Sequence, residues 1–341
     1  MKKKIKINFL HQGGGFNKED NFFTNLLRKK YEVVISDAPD YVFSSVYDSP
    51  SEFSNKIISP LQNDSKNSLK KFLKPLLKKT FVKNIIWLLV SKKIIGRNKL
   101  PEVKGNFVKI FYTHENIVPD MDKCDWAFTF CHEDQIKNSR NMRLPYYFVA
   151  LDGKSMIKEK IDFKKIKEEK QRFCNFIYKA HFPLRNKFFR KLSKYKRVDA
   201  PGKCMNNMPP IGSFKDPLKS RAADNWLDQK QDFLKKYKFT IAFENAFFPG
   251  YTTEKIVQPM LANSIPIYWG NPQVVRDFNK KSFINVGDFK NFKEVIKRIK
   301  EIDSNDKLYE KILREPWLNE NKSNKWMSEE KILKQFEKII K

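Results

Sequence analysis

Residues 239–285 read FTIAFENAFFPGYTTEKIVQPMLANSIPIYWGNPQVVRDFNKKSFIN, and this stretch decides the fold of the chain. The apolar run Phe239–Phe243 predicts a short buried strand. Thr252 or Thr253 can cap a helix after it, since threonine is favoured at helix starts. A second apolar run at Ser264–Trp269 predicts another strand. Strand, helix and strand in this order form one βαβ unit of a parallel sheet.

Polar side chains follow the first of these strands at the point where it ends. Glu244 and Asn245 come directly after it, and Tyr251, Glu254 and Lys255 lie around the start of the helix. Parallel sheets bind ligands beyond the carboxyl ends of their strands, and a helix N-terminus favours phosphate. Lys255 adds a positive charge, and the Glu254 carboxylate can bind two neighbouring hydroxyls of a ribose. The pattern predicts a site for a nucleoside diphosphate, and the alternative is a structural turn with a solvated Glu254–Lys255 pair.

Several motifs of the chain resemble those of the α-1,3-fucosyltransferases, glycosyltransferase family 10, and especially the bacterial lipopolysaccharide enzymes. The central motif is long and specific, so the chain is identified as a member of this family. The resemblance is strong over about 108–292, weak near 151–172 and slight before residue 108. The motifs are FENAFFPGYTTEK (243–255), IPIYWGNP (265–272), DFNKKSFIN (277–285), FYTHEN (111–116), FPLRN (182–186), VD (198–199) and GKC (202–204).

The resemblance implies an α/β fold of two Rossmann-like domains in a GT-B arrangement, with the active site in the cleft between them. A chain of 341 residues is long enough for two such domains. The N-terminal domain, residues 1–165, would take the acceptor, and the C-terminal domain, residues 166–341, the sugar nucleotide. A terminal helix at 328–340 is expected to pack back on the N-terminal domain.

The remaining elements follow from apolar periodicity and flanking polar residues. The Lys- and Glu-rich stretch 151–170 is interpreted as the linker zone between the domains. Strands are predicted at 4–9, 32–35, 41–44, 108–112, 126–130, 174–178 and just before Asp199, and helices at 21–30, 186–194, 292–302 and 328–340.

The implied activity is an inverting glycosyl transfer from GDP-β-L-fucose. The acceptor would be the 3-OH of N-acetylglucosamine in a β-galactosyl-N-acetylglucosamine glycan, an oligosaccharide or lipid-linked chain such as the lipopolysaccharide O-chain. Two alternatives stay open. Residues 246–249 (AFFP) depart from the polar, Gly-rich loop of some relatives and can reshape the sugar pocket, so one alternative is a same-fold transferase with another nucleotide sugar. The other is a non-catalytic basic protein that binds membrane or nucleic acid.

Single-displacement inversion needs a base for the acceptor hydroxyl and stabilisation of the departing diphosphate. Glu115 matches the family position of the catalytic base. Arg185 and Lys255 match the phosphate-binding positions, and Asn245 and Tyr251 the donor contacts.

Other candidates complete the predicted site. Glu254 is matched to the hydroxyls of the nucleotide. Weaker candidates are Glu244, Asn206, Asn207 and His114. No Asp-x-Asp pair follows a predicted strand, so we expect no metal site, no essential divalent cation and no cofactor besides the GDP-fucose substrate. The four cysteines also lack metal-site spacing.

The formal net charge of +29 favours an anionic partner. Nucleic acid, an anionic membrane surface and the nucleotide donor compete, but no nucleic-acid-binding motif is found, so no nucleic acid is expected. Residues 66–97 carry nine lysines, one arginine and no acidic residue, with leucines and phenylalanine at helical spacing. Such a basic amphipathic segment can lie on an anionic leaflet, or its apolar stripe can pack on the domain.

The N-terminus lacks the apolar core of a signal peptide, and no apolar run is long enough to span a membrane. The expectation is therefore a cytoplasmic protein, peripheral on the cytoplasmic face of the inner membrane if residues 66–97 bind lipid. The sequence leaves the oligomeric state open.

Overall fold

The computed structural model describes residues 2–13, 16–46, 106–153, 156–212, 215 and 225–340. The basic segment 66–97 lies outside the described residues. The chain divides into two compact units, Met1–Leu144 with Glu329–Lys341, and Pro145–Ser328. This division lies earlier in the chain than the boundary predicted at residue 165, and the terminal helix belongs to the first unit.

The described elements combine helices with two parallel sheets, as in the α/β class. The strands are β1 (Lys4–Leu10), β2 (Glu32–Ile35), β3 (Tyr41–Ser44), β4 (Val108–Tyr112), β5 (Trp126–Thr129), β6 (Asn141–Arg143), β7 (Arg172–Asn175), β8 (Val198–Asp199), β9 (Tyr237–Phe243), β10 (Ile265–Trp269) and β11 (Ile284–Asn285). The α-helices are α1 (Phe22–Arg28), α2 (Tyr146–Val149), α3 (Phe163–Glu169), α4 (Pro183–Leu192), α5 (Trp226–Lys235), α6 (Glu254–Leu261), α7 (Phe292–Asp303), α8 (Asp306–Arg314) and α9 (Glu329–Ile339).

The first unit is built on a parallel sheet in the order β2-β1-β3-β4-β5-β6. The side chain of Asn21 caps α1 by accepting hydrogen bonds from the backbone N–H groups of Phe23 and Thr24. Helix α9 is the terminal helix predicted from its spacing, and its Phe336 is fully buried. The Phe336 ring centroid lies 5.0 Å from that of Phe128, so α9 contributes to the core of this unit.

The second unit is built on a parallel sheet in the order β11-β10-β9-β7-β8. Strand β9 is buried over almost its whole length, as its continuous apolar sequence predicts for a central parallel strand. Its neighbour β10 pairs with it in a register that sets Trp269 opposite Phe243. The two strands therefore end side by side, and the polar residues that follow them start from one edge of the sheet.

The linker interpretation of residues 151–170 is wrong for its second half. Phe163–Glu169 forms helix α3, whose first turn is capped by the Asp162 side chain through the backbone N–H of Lys165. Ile166 is buried in the core of the second unit. Helix α3 was not predicted because most of its residues are charged. Its few apolar residues lie on one face, which packs on the core.

We expect Asp162→Ala to lower the free energy of unfolding by about 1 kcal/mol, because the cap satisfies a backbone donor of α3. Chemical denaturation of the purified protein measures the loss. Glu159→Ala, an exposed acidic residue in the same segment, is the matched control and should change stability by less than about 0.5 kcal/mol. Equal stability of the two variants would contradict the capped helix.

Within the described part of the chain, no helix has both the length and the apolar character that crossing a membrane requires.

Candidate active site

The end of β9 is joined to the start of α6 through a buried carboxylate. Glu244 follows β9, and its side chain is fully buried. Its Oε1 accepts a hydrogen bond from the backbone N–H of Thr253 at 2.8 Å, and its Oε2 accepts one from the Thr253 hydroxyl at 2.7 Å. Thr253 is the N-cap residue of α6, as one of the two predicted alternatives required. The predicted side-chain cap is not formed at Thr253, whose hydroxyl donates to Glu244 and accepts from Lys255 Nζ and not from a backbone N–H.

Lys255 lies in the first turn of α6 and is surrounded by oxygen atoms. Its Nζ donates to the Thr253 hydroxyl at 3.0 Å and lies 3.3 Å from Glu254 Oε1 and 3.5 Å from Glu244 Oε2. The Lys255 side chain keeps 17% of its exposure. Burial acts to lower its pKa, but the carboxylates of Glu254 and Glu244 outweigh burial and raise it above the ordinary value. The ammonium group is therefore charged at any physiological pH.

Glu254 begins α6 and remains partly open to solvent, with 23% of its side chain exposed. Burial acts to raise its pKa, but the positive charges of Lys255 and Lys230 outweigh burial and lower the pKa to about 2. The carboxylate is ionised near neutral pH and can accept hydrogen bonds from neutral hydroxyl groups.

Arg185 lies in the first turn of α4 and is only 2% exposed. Its Nη2 donates to the carbonyl of Ala180 at 2.7 Å, and its Nη1 donates to Asn245 Oδ1 at 3.3 Å. The guanidinium carbon lies 3.6 Å from the ring centroid of Tyr178. The buried Nε has no hydrogen-bond partner within the part of the chain that the structure describes. A buried donor without a partner is costly, so this group is suited to an anionic ligand.

Tyr178 contacts both the Arg185 guanidinium and the end of β9. Its hydroxyl accepts a hydrogen bond from the backbone N–H of Phe243 at 2.7 Å, at the end of β9. Burial raises the pKa of Tyr178 to about 12, although the charges of Arg185 and Lys255 both act to lower it. Both cations therefore act on one phenol at the carboxyl edge of the second sheet. Gly202 packs on the Tyr178 backbone, where an added Cβ would lie 2.5 Å from the carbonyl oxygen.

The loop before α6 is held by Asn271, which lies in the motif IPIYWGNP and was not among the predicted site residues. Asn271 is 2% exposed, and its Oδ1 accepts from the backbone N–H groups of Gly250 and Gln273, each at 2.8 Å. Its Nδ2 donates to the Thr252 hydroxyl at 2.9 Å. The sequence signal for this role was an asparagine inside a Gly-Asn-Pro turn, because an asparagine side chain in a turn can hydrogen-bond nearby backbone groups.

The other donor candidates differ in what their side chains do. Asn245 is exposed, and Tyr251 is 2% exposed. Asn206 Nδ2 lies within hydrogen-bond distance of three backbone carbonyls of its own loop. Asn207 accepts from the backbone of Ala200 and donates to the carbonyl of Val198. The contacts of Asn206 and Asn207 are therefore structural.

The predicted base belongs to the first unit, whereas the predicted donor residues belong to the second. Glu115 and His114 follow β4 and are both half-buried. The backbone N–H of Glu115 donates to the Thr113 hydroxyl at 3.2 Å, which holds the turn after the strand. Asn116 Oδ1 is buried and lacks a hydrogen-bond partner among the described residues.

The described residues contain no group of three or more His, Cys, Asp or Glu side chains that could hold a metal ion. All four cysteines are buried and free. Burial raises the pKa of the Cys124 and Cys131 thiols to about 12, so these two are unreactive packing residues.

Comparison with known protein families matches a C-terminal and an N-terminal region of the chain, and both matches are to fucosyltransferases. The family description "Glycosyltransferase family 10 (fucosyltransferase) C-term" matches residues 166–338. The description "Alpha-(1,3)-fucosyltransferase FucT N-terminal domain" matches residues 70–150. The likeness therefore extends well before residue 108, where only a slight resemblance was predicted, and includes most of the segment 66–97.

Several curated proteins are similar to the chain. A putative fucosyltransferase of Acanthamoeba polyphaga mimivirus is 43% identical over 147 residues, covering 43% of this chain and 24% of that protein. The alpha-(1,3)-fucosyltransferase FucT of Helicobacter pylori is 33% identical over 236 residues, covering 63% and 48%. GDP-fucose protein O-fucosyltransferase 3 of Xenopus tropicalis is 33% identical over 184 residues, covering 50% and 37%. The chain spans less than half the length of each of these relatives.

Among solved structures, an α1,3-fucosyltransferase crystallised with GDP-fucose has a similar fold. The TM-score is 0.69 at 24% identity, and the match covers 100% of this chain and 91% of that one. Together with the two parallel sheets, it confirms the predicted α/β fold of the GT-B class. At this identity the likeness establishes the fold alone.

Proposed function

This chain belongs to glycosyltransferase family 10, the fucosyltransferases, and from that premise we propose that it transfers L-fucose from GDP-fucose to a glycan hydroxyl with inversion. The observation that carries the donor assignment is the pair of cations at the carboxyl edge of the second sheet. Arg185 offers a buried, unpartnered Nε among the described residues, and Lys255 lies in the first turn of a helix whose N-terminus favours phosphate. Both suit the diphosphate of a nucleotide sugar.

We assign roles in binding the sugar nucleotide to four residues of the second unit. Arg185 and Lys255 bind the diphosphate and stabilise the negative charge that grows on it as the bond to fucose breaks. Glu254, ionised and partly exposed, accepts hydrogen bonds from the ribose hydroxyls. Asn245 holds the Arg185 guanidinium from the exposed side. Fixed cations supply the charge that a divalent metal supplies elsewhere, so we propose that no metal is required.

Glu115 acts as the base. Its carboxylate removes the proton from the acceptor hydroxyl as the oxygen attacks the anomeric carbon of fucose, and GDP departs from the opposite face. This assignment rests on the match of FYTHEN to the family motif and on the position of Glu115 directly after a parallel strand. His114, its neighbour, is at most a modulator of the reaction.

The acceptor is proposed to be the 3-OH of N-acetylglucosamine in a β-galactosyl-N-acetylglucosamine glycan, such as a lipopolysaccharide O-chain. The similarity to the Helicobacter pylori α-(1,3)-fucosyltransferase supports this class. A second candidate is a protein hydroxyl, which is supported by the similarity to GDP-fucose protein O-fucosyltransferase 3. Assays with the disaccharide and with a panel of peptides, analysed by mass, separate the two classes.

We expect GDP to raise the melting temperature of the protein, because a ligand that binds only the folded state stabilises it. At ten times its Kd, GDP should add about 1.4 kcal/mol, which corresponds to roughly 3–6 °C. Differential scanning fluorimetry measures the shift without added metal. UDP at the same concentration is the control, and stabilisation by UDP without stabilisation by GDP would contradict the donor assignment.

A further inference from the structure

We propose that Glu244 is a positioning residue for the diphosphate site, which holds the Lys255 ammonium group in its binding geometry through Thr253. The proposal rests on the proposed function, since it assigns a device to the same donor site. Glu244 itself is fully buried, so it acts through its neighbours and not by touching the donor.

The first support is the closeness of the packing around Glu244. Its backbone N–H donates to the carbonyl of Trp269 at 2.7 Å, which fixes it to the end of β10. Gly270 follows with φ +154°, and an added Cβ there would lie 2.4 Å from Cγ of Glu244. A side chain at position 270 would therefore displace the carboxylate. The turn leaves room for Glu244 only because residue 270 is glycine.

The second support is the set of hydrogen-bond partners of the Glu244 carboxylate oxygens. Both are occupied by Thr253, one by its backbone N–H and one by its hydroxyl. The same hydroxyl accepts from Lys255 Nζ, and the Nζ lies 3.5 Å from Glu244 Oε2. Glu244, Thr253 and Lys255 thus form one connected unit, in which the buried carboxylate sets the start of the helix and the position of the cation.

This connected unit lowers the conformational-entropy cost of binding the diphosphate. A lysine side chain has many rotamers, and a ligand that needs one of them must otherwise restrict it during binding. In this protein the ammonium group is already held at the helix start by Thr253, Glu254 and Glu244. The negative charge of Glu244 alone would oppose an anionic ligand, so the sign of its effect on GDP binding discriminates between positioning and simple repulsion.

The test is a double-mutant cycle on GDP affinity, measured by isothermal titration calorimetry with the whole chain. Glu244→Gln keeps the size of the side chain but removes its charge, and we expect GDP to bind about tenfold more weakly. Lys255→Ala should weaken GDP binding by about ten- to a hundredfold. In the double variant, Glu244→Gln should add less than about twofold to the loss from Lys255→Ala, because Glu244 acts through Lys255.

Asp303→Asn is the matched control. Asp303 is another buried carboxylate of the second unit, with a side chain 4% exposed that pairs with Lys196 and Lys238. Its replacement should lower the melting temperature and leave the Kd for GDP unchanged. If Glu244→Gln fails to fold, Thr253→Val removes the shared hydroxyl and should weaken GDP binding about threefold, again only when Lys255 is present.

Each outcome decides the proposal. Unchanged or tighter GDP binding in Glu244→Gln would overturn it, since repulsion or indifference would then describe the carboxylate. Losses that multiply in the double variant would also overturn it, because Glu244 would act independently of Lys255. Failure of the unaltered protein to bind GDP is a separate result, which would overturn the proposed donor and this inference with it.

Discussion

Glu115→Gln should lower kcat by about 10²–10⁴, the usual contribution of a general base. The amide has the size of the carboxylate and keeps most of its hydrogen bonds, but it cannot accept the proton of the acceptor hydroxyl. GDP affinity should barely change, because the proposed donor residues belong to the second unit and Glu115 to the first. Steady-state kinetics with GDP-fucose and a soluble disaccharide acceptor give both constants.

Two controls separate chemistry from binding for this variant. Glu32→Gln changes an exposed glutamate of the first unit, on β2, and should leave kcat unaltered. Slow hydrolysis of GDP-fucose by water should fall less than transfer to the sugar, because hydrolysis need not use the acceptor-side carboxylate. If the acceptor KM rises while kcat survives, Glu115 only orients the acceptor, and His114 becomes the next candidate for the base.

Arg185→Ala and Lys255→Ala should each lower kcat/KM for the donor by about ten- to a hundredfold. Each removes a charged contact to a diphosphate whose negative charge grows during the reaction, and such a contact contributes about 1.5–3 kcal/mol. Arg185→Lys should recover only part of the loss, because lysine keeps the charge but lacks the planar fork that bonds two oxygens. Initial rates at subsaturating GDP-fucose measure these changes.

Arg298→Ala is a suitable control for the two cation variants. Arg298 is an exposed arginine on α7 that pairs with Glu301 on the same helix. It should have the kinetics of the unaltered protein. Unaltered kinetics in Arg185→Ala and Lys255→Ala, with folding verified by circular dichroism, would remove these residues from the donor site.

Most of the sheets could be predicted from apolar runs. Strands such as Val108–Tyr112 and Tyr41–Ser44 are short, apolar and bounded by polar residues, and the structure has them with the predicted bounds. Helices α5 and α8 were missed. Residues 226–235 are dominated by charged and amide side chains, whereas in 306–314 the helical spacing of Leu308, Tyr309, Ile312 and Leu313 was a usable signal.

One strand was predicted too long for a reason that concerns the site. The apolar run 174–178 predicted a strand to Tyr178, but β7 ends at Asn175. Phe176 and Tyr178 are buried beyond the strand, and the Tyr178 hydroxyl bonds the end of β9. The sequence shows that residues 176–178 are apolar or aromatic. Only the fold shows that Tyr178 lies beyond the strand, where its ring packs against the Arg185 guanidinium.

Arg185 and Lys255 became candidates for the site through their match to family motifs, because residue type alone does not distinguish them from solvated charges. The connections between residues were not predictable. Thr252 or Thr253 was expected to cap α6 with its hydroxyl, and the structure shows the Thr253 hydroxyl bonded to Glu244. The carboxylate that bonds Thr253 belongs to Glu244, which follows strand β9. The sequence around the start of α6 cannot reveal this partner.

The central claim is that the chain transfers fucose from GDP-fucose, and product analysis tests it most directly. Purified protein is incubated with GDP-fucose, β-galactosyl-N-acetylglucosamine and a chelator, in parallel with other nucleotide sugars, and the products are analysed by mass and linkage. We expect a trisaccharide carrying one added deoxyhexose on the 3-OH of N-acetylglucosamine, formed with GDP-fucose and without metal. Transfer from another nucleotide sugar, with none from GDP-fucose to this disaccharide or to peptides, would contradict it.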